Sequence, residues 1–115
     1  MSLDLDLVIE VDTGGPEKKV IQLYDTNITH NLGVMASQAG IYDLLWRPEE
    51  IGIEKAEGVI EGLTEGLNLL KKYPDFFSQF DAENGWGTYK DFVPFVEQYL
   101  KACIENPKAT IRASR

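Results

Sequence analysis

The chain is short of the residues on which most catalytic and metal chemistry depends. It has one cysteine, Cys103, and one histidine, His30. A single cysteine excludes a disulfide within the chain and suits a reducing compartment. One Cys and one His cannot build a zinc site unless carboxylates supply the remaining ligands. Basic residues are also scarce. Eleven Lys and Arg stand against nineteen Asp and Glu, a formal charge of −8, which argues against a protein that works by neutralising nucleic-acid phosphates. No apolar run approaches the roughly 18 to 20 residues of a membrane span. The first ten residues alternate Leu with Asp and lack the basic start of a signal peptide, so a cytoplasmic place is expected. No Ser or Cys carries the signature of an activated nucleophile. The expectation is therefore a chain without catalytic residues, metal or cofactor, and not an enzyme.

What is present suits one globular domain over residues 1–115. The apolar fraction of 43% and this length allow burial of roughly two-thirds of the unfolded surface. Leu3, Leu5, Leu7, Ile9 and Val11 alternate with polar residues, the period of a half-buried strand. Asp12 to Pro16 supplies a turn, and Lys19 to Tyr24 reads as the return strand of a hairpin. Its outer edge is guarded by Lys18 and Lys19. Asn27 or Thr29 can cap a helix that ends at Gly40. A short apolar segment, Ile41 to Trp46, follows. A long amphipathic helix is expected over Ile53 to Lys72, and an aromatic turn over Asp75 to Phe80. A last helix runs from Thr88 to about Glu105, with Thr88 and Asp91 at capping-box spacing. Pro94 predicts a kink or a late start in it. Ala109 to Ala113 reads as a third strand. The expected fold class is α+β: an N-terminal β-hairpin and a short C-terminal strand in a small antiparallel sheet, with three to four helices packed on one face. Strand order is not legible.

The long helix sorts into stripes. Glu54, Glu57, Glu61 and Glu65 fall within about 80° of one another, a solvated face or a surface for a basic protein partner or divalent cation. Gly58, Gly62 and Gly66 recur every four residues. Each glycine costs about 0.8 to 1 kcal/mol against alanine in a helix interior, so something is expected to pack against bare backbone there. The candidates are another part of the chain or a second copy in a homo-oligomer.

Three clusters are candidates for binding. In Asn27-Ile28-Thr29-His30-Asn31-Leu32, polar side chains meet a helix entrance, where backbone N–H groups either take a cap or hold an anion. In Asn84-Gly85-Trp86-Gly87-Thr88-Tyr89, a Trp between two glycines either plugs the core or offers a flat stacking surface. Tyr42 and Trp46 form an aromatic face beside Arg47, the only arginine before Arg112. Asp12-Thr13-Gly14 matches the triplet of aspartic proteases. That chemistry needs two carboxylates sharing a proton, on a nearly all-β scaffold; a chain that reads as more than half helix favours an ordinary turn.

Asn-Ile-Thr-His-Asn-Leu (Asn27 to Leu32), Met-x-x-x-Ala-Gly-Ile-Tyr (Met35 to Tyr42) and Asn-Gly-Trp-Gly-x-Tyr (Asn84 to Tyr89) carry a family resemblance. The sequence resembles, from about Asp12 onward, an uncharacterised family of small proteins of bacteriophages and bacterial mobile elements. The resemblance implies a mobile-element origin and no catalytic mechanism, and so an accessory protein that counters host defence. The leading expectation is a non-catalytic binding protein for a small anionic, nucleotide-like ligand. Helix N-termini would hold phosphate or ribose, and Trp86, Tyr89, Trp46 or Tyr42 would stack on the base. The alternative is an acidic module that blocks a basic host protein through the glutamate stripe. The third class is a hydrolase, which lacks a base and nucleophile pair. If the first two clusters share one end of the sheet, they would form a single cleft.

Overall fold

A computed structural model describes residues 2–115. Leu3, Leu5 and Leu7 on strand β1 (Ser2–Val11) are fully buried, as their period of two requires. β1 is the central strand of a three-stranded antiparallel sheet of order β2-β1-β3, with β2 spanning Lys19–Thr29 and β3 spanning Thr110–Ser114. The helices bury this face. Trp46, Tyr99 and Phe92 are the largest fully enclosed side chains of the core. The α+β class, the hairpin and the C-terminal strand are as the sequence implies.

The alternation of β1 holds through Ile9, while its register with β2 shifts after Leu7. β2 carries an extra residue at Leu23, between the pairs Leu7–Tyr24 and Val8–Gln22, a bulge that changes which side chains face inward. On β1, Ile9 is half-buried and packs against the core as the alternation requires, Val11 is half-buried, and Val8 is buried outside the core cluster. Every residue from Asp12 to Leu23 is exposed, so the far half of the hairpin stands clear of the core, in keeping with extents of 53 × 27 × 23 Å. At its tip the Asp12 carboxylate accepts the Gly14 N–H at 2.9 Å, with Gly14 at φ +83°. The Asp-Thr-Gly triplet is a turn.

Three boundaries differ from the sequence reading. β2 does not stop at Tyr24 but continues to Thr29. Tyr24, Thr26 and Ile28 pair with Leu7, Leu5 and Leu3 on the core face, while Asp25, Asn27 and Thr29 pair with Asp6, Asp4 and Ser2 on the polar face. Asn27 is therefore a strand residue, not a cap. Thr29 is the cap, of a single 3-10 turn over His30–Leu32 that leads into helix α1 (Gly33–Gln38). Gly40, at φ +76°, ends α1 as expected.

The apolar segment after Gly40 is helix α2 (Tyr42–Trp46), followed by a 3-10 turn over Pro48–Ile51. The long helix begins later than its periodicity suggests. Ile53 and Glu54 are non-helical, Lys55 is extended, Ala56–Val59 is a 3-10 turn, and helix α3 covers Ile60–Lys72. The cause is tertiary. The outer edge of β3 offers unpaired backbone groups, and the 54–57 segment takes them. Ile111 N–H donates to the Glu54 carbonyl, Ala56 N–H to that of Ala109, and Glu57 N–H to that of Pro107, each at 2.9 Å. Glu54 is consequently off the helix and out of the acidic stripe.

The aromatic turn is a short helix, α4 (Pro74–Ser78). Helix α5 (Tyr89–Glu105) runs through Pro94 without a delayed start. Among the described residues that gives five helices where three to four were expected, because α2 and α4 are short separate pieces. The capping box at its start does not form. The Thr88 hydroxyl donates to the Asp91 carboxylate at 3.1 Å, and the Tyr89 N–H is taken by Asp81 Oδ1 at 2.6 Å. Asp81 lies eight positions upstream, too far for any local capping motif.

The glycine line is filled by the chain itself. A Cβ on Gly58 would lie 2.8 Å from Ile53 Cγ2, on Gly62 2.5 Å from Leu44 Cδ1, and on Gly66 2.2 Å from Ile41 Cγ2. Close approach of α2 and its flanks to α3 is what these glycines allow. Gly66 is buried under these contacts and Gly62 half-buried, while Gly58 remains exposed.

Candidate functional site

β2 delivers the chain to Thr29 at the same end of the sheet where the loop before α5 arrives. Thr29 Oγ1 accepts the Asn31 N–H at 3.3 Å, which turns the backbone out of the strand. The opposing loop is shaped by its own sequence. Asn84 Oδ1 accepts the Trp86 N–H at 3.0 Å, and Gly85 and Gly87 take φ of +77° and +111°. The two segments then join. Asn31 Nδ2 donates to the Trp86 carbonyl at 2.8 Å. Gly87 packs so closely that an added Cβ would lie 3.0 Å from Thr29 Cγ2 and 3.2 Å from Asn31 Cβ.

Between them lies an open cleft of about 720 Å³. Of the residues singled out in the sequence, Asn27, Thr29, His30, Asn31, Asn84 and Trp86 line it. Ser2, Ile28, Leu32, Gly85, Gly87 and Asp91 complete the wall. Ser2 leaves no local signal, and the local signal of Asp91 is that of a capping box, not of a site. Ser2 arrives only because it pairs with Thr29 across the sheet, and Asp91 because α5 starts beside the loop.

The other candidates lie elsewhere. Thr88 is turned to Asp91 and Tyr89 to the Leu70 carbonyl, which its hydroxyl reaches at 2.7 Å. Trp46 is 2% exposed and sits behind the wall, stacked on Tyr42 at 5.2 Å between ring centroids. Its indole N–H donates to His30 Nδ1 at 2.8 Å. Arg47 is apart from the cleft, paired with Glu50 at 2.5 Å. Tyr42, Trp46, Arg47, Thr88 and Tyr89 are thus not wall residues: two support the wall from behind, and the other three serve other contacts.

Trp86 decides between the readings given to its loop. Its side chain is 71% exposed, so it is not a core plug. It is a flat apolar surface held at the rim of a polar cleft by hydrogen bonds to its own backbone on both sides.

The polar atoms left over can be counted from their obligate partners. Asn27 Nδ2 is spent on Ser2 Oγ and Asp4 Oδ1, leaving its Oδ1 as an acceptor. Asn31, donating to a carbonyl, keeps Oδ1 as well. Asn84, accepting an N–H, keeps its Nδ2 donors. The wall therefore presents acceptors and donors in mixture.

Its charge is another matter. Asp91 is the acidic member, and among the described residues no Lys or Arg lines the cleft. The helix ends are engaged as well. The 3-10 turn gives its N–H to Thr29 and α5 gives its first N–H to Asp81. One N–H at each expected anion-holding end is taken by the chain's own side chains.

The glutamate stripe is likewise reduced. Glu57 pairs with Lys108 at 3.0 Å and Glu54 has left the helix, so Glu61 and Glu65 remain. Among the described residues no group of His, Cys, Asp and Glu is placed to hold a metal ion, and no helix is long and apolar enough to cross a membrane. Burial pushes the Cys103 thiol up to about 12, far from the thiolate a nucleophile needs. Comparison with protein-family models, with curated proteins and with solved structures finds no match to this chain.

Proposed function

We propose that this chain is a non-catalytic binding protein for a small nucleotide-like molecule, held by its base and sugar in the cleft between the 27–32 and 84–87 segments. The carrying observation is Trp86, a largely exposed indole fixed beside unspent amide and hydroxyl groups. Stacking of a planar ring on such a surface contributes about 1 to 3 kcal/mol. Asn27 Oδ1, Asn31 Oδ1, Asn84 Nδ2 and the Ser2 and Thr29 hydroxyls match the donors and acceptors of a base or ribose edge.

Among the described residues no Lys or Arg lines the wall to hold the anionic part of such a ligand, and the net charge of −8 repels it. Phosphates would point to solvent. A nucleoside should therefore bind at least as well as its phosphorylated form. Sequestration of a nucleotide-like signal of host defence is the role that the mobile-element resemblance suits.

A thermal-shift panel of nucleosides, nucleotides and cyclic nucleotides tests this. A ligand at 100 times its Kd adds about 2.7 kcal/mol, a shift of several degrees for a domain of this size. The Trp86→Ala variant should show no shift. A panel that neither raises the wild-type melting temperature nor quenches the Trp86 fluorescence would remove the reading.

A further inference from the structure

His30 is the one titratable side chain in the cleft whose hydrogen bonding is set from behind the wall. Its Nδ1 lies 2.8 Å from Trp46 Nε1. An indole nitrogen can only donate, so Nδ1 must be the acceptor, and a neutral imidazole then carries its proton on Nε2. The donor is held in place: Trp46 is buried, its ring stacks on Tyr42 with an interplanar angle of 6°, and its carbonyl accepts from Arg115 at 2.7 Å. On the far side of the imidazole, Nε2 has no hydrogen-bond partner among the described residues. Nor is it buried, because the Tyr99 hydroxyl is the one enclosed side-chain atom left unpartnered there. His30 lines the cleft.

From this geometry we infer that His30 presents a fixed Nε2–H donor to the cleft, with Trp46 as the positioning residue that sets its tautomer. A ligand stacked on Trp86 must then offer His30 an acceptor, either a carbonyl oxygen or an unprotonated ring nitrogen. A ring that presents an amino group at that point meets donor against donor and is rejected. A site with a fixed donor discriminates more strongly than an apolar wall, because the wrong ligand leaves a polar group unpaired. This rests on the proposed use of the cleft, and the tautomer can be tested apart from it.

Because His30 is the only histidine, its ring nitrogens are unambiguous in 15N spectra of the whole chain. With the ring neutral, wild-type protein should show a protonated Nε2 and a bare Nδ1, and Trp46→Phe should show both tautomers. A wild-type ring protonated on Nδ1, or an even mixture, would overturn the inference whatever any variant does. Inosine, which carries a carbonyl and bare ring nitrogens, is the probe for the contact. Its binding should move the Nε2–H resonance and should weaken about tenfold in Trp46→Phe, the loss of one hydrogen bond. Inosine that quenches Trp86 but leaves Nε2–H unmoved overturns the contact. Inosine that does not quench Trp86 counts against the cleft as a base site, and the tautomer result then stands on its own spectrum.

Discussion

Asn31 donates its side-chain amide to the carbonyl oxygen of Trp86, 55 positions away, at 2.8 Å. That bond closes one side of the cleft and leaves the Trp86 indole pointing outward. Neither partner is buried, so the bond adds only about 0.5 to 1.5 kcal/mol to stability. Its importance is geometric, since it sets where the stacking surface stands relative to the polar wall.

Removing that surface should separate binding from folding. Trp86→Ala deletes a side chain that is 71% exposed, and exposed substitutions change stability by about 0.5 kcal/mol or less. Urea denaturation should give an unchanged midpoint while nucleoside binding is lost. A variant destabilised by several kcal/mol would mean that the indole packs in solution.

Gly87→Ala should act on both properties. The residue sits at φ +111°, and a Cβ there meets Thr29, Asn31 and Leu32 at 3.0 to 3.2 Å. Strain of this kind costs about 1 to 3 kcal/mol, relieved only by parting the two segments. The melting temperature should fall, and binding should weaken even where the variant is fully folded.

The helix glycines should differ among themselves. Gly66→Ala drives a Cβ to 2.2 Å from Ile41 Cγ2 and 3.3 Å from the Ala39 carbonyl oxygen, which belongs to the backbone. Overpacking of about 1 to 3 kcal/mol should exceed the roughly 1 kcal/mol gained in helix propensity. At Gly62 the obstacle is the terminal methyl of Leu44, which can rotate away, so Gly62→Ala should stay within about 1 kcal/mol of wild type. Denaturation curves of the pair would decide; a Gly66→Ala chain more stable than wild type would refute the packing argument.

Alkaline pH should unfold the protein gradually. Burial raises the Cys103 thiol from 9.0 to about 12, and raises the Tyr24 and Tyr99 hydroxyls as well. A group whose pKa rises on folding contributes stability that is whole below its unfolded pKa and is lost as pH climbs through the folded value. The urea midpoint should hold to about pH 8.5 and then decline toward pH 12, with a shallower decline in Cys103→Ala. A midpoint flat through this range would show that these groups are solvated in the native state.

How much of this was legible can be read from particular residues. The Leu3-Leu5-Leu7 alternation named the core face of β1, because apolar period and burial follow from backbone geometry alone. Gly40 as a helix stop and Asp12 to Gly14 as a turn were equally local, resting on positive φ and a side chain bonding two residues on. The return strand was cut short at Tyr24 because Asp25, Thr26 and Asn27 look polar. Their alternation only acquires meaning once Leu5 and Asp4 lie opposite.

The composition, the periods and the turn residues therefore determined by themselves an acidic α+β domain with a hairpin, a C-terminal strand and two polar motifs at the ends of elements. Only the tertiary structure decided that those motifs meet, that Trp86 is outside while Trp46 is inside, that the Asp81 rather than the Thr88 side chain takes the first N–H of α5, and that Ile41, Leu44 and Ile53 pack on the glycine line. The reason is physical. Periodicity tells which side of an element avoids water, but a tryptophan has the same apolar surface wherever it stands. Which one is covered depends on what the rest of the chain brings against it, and backbone groups take whichever partner lies nearest in space, however distant in sequence.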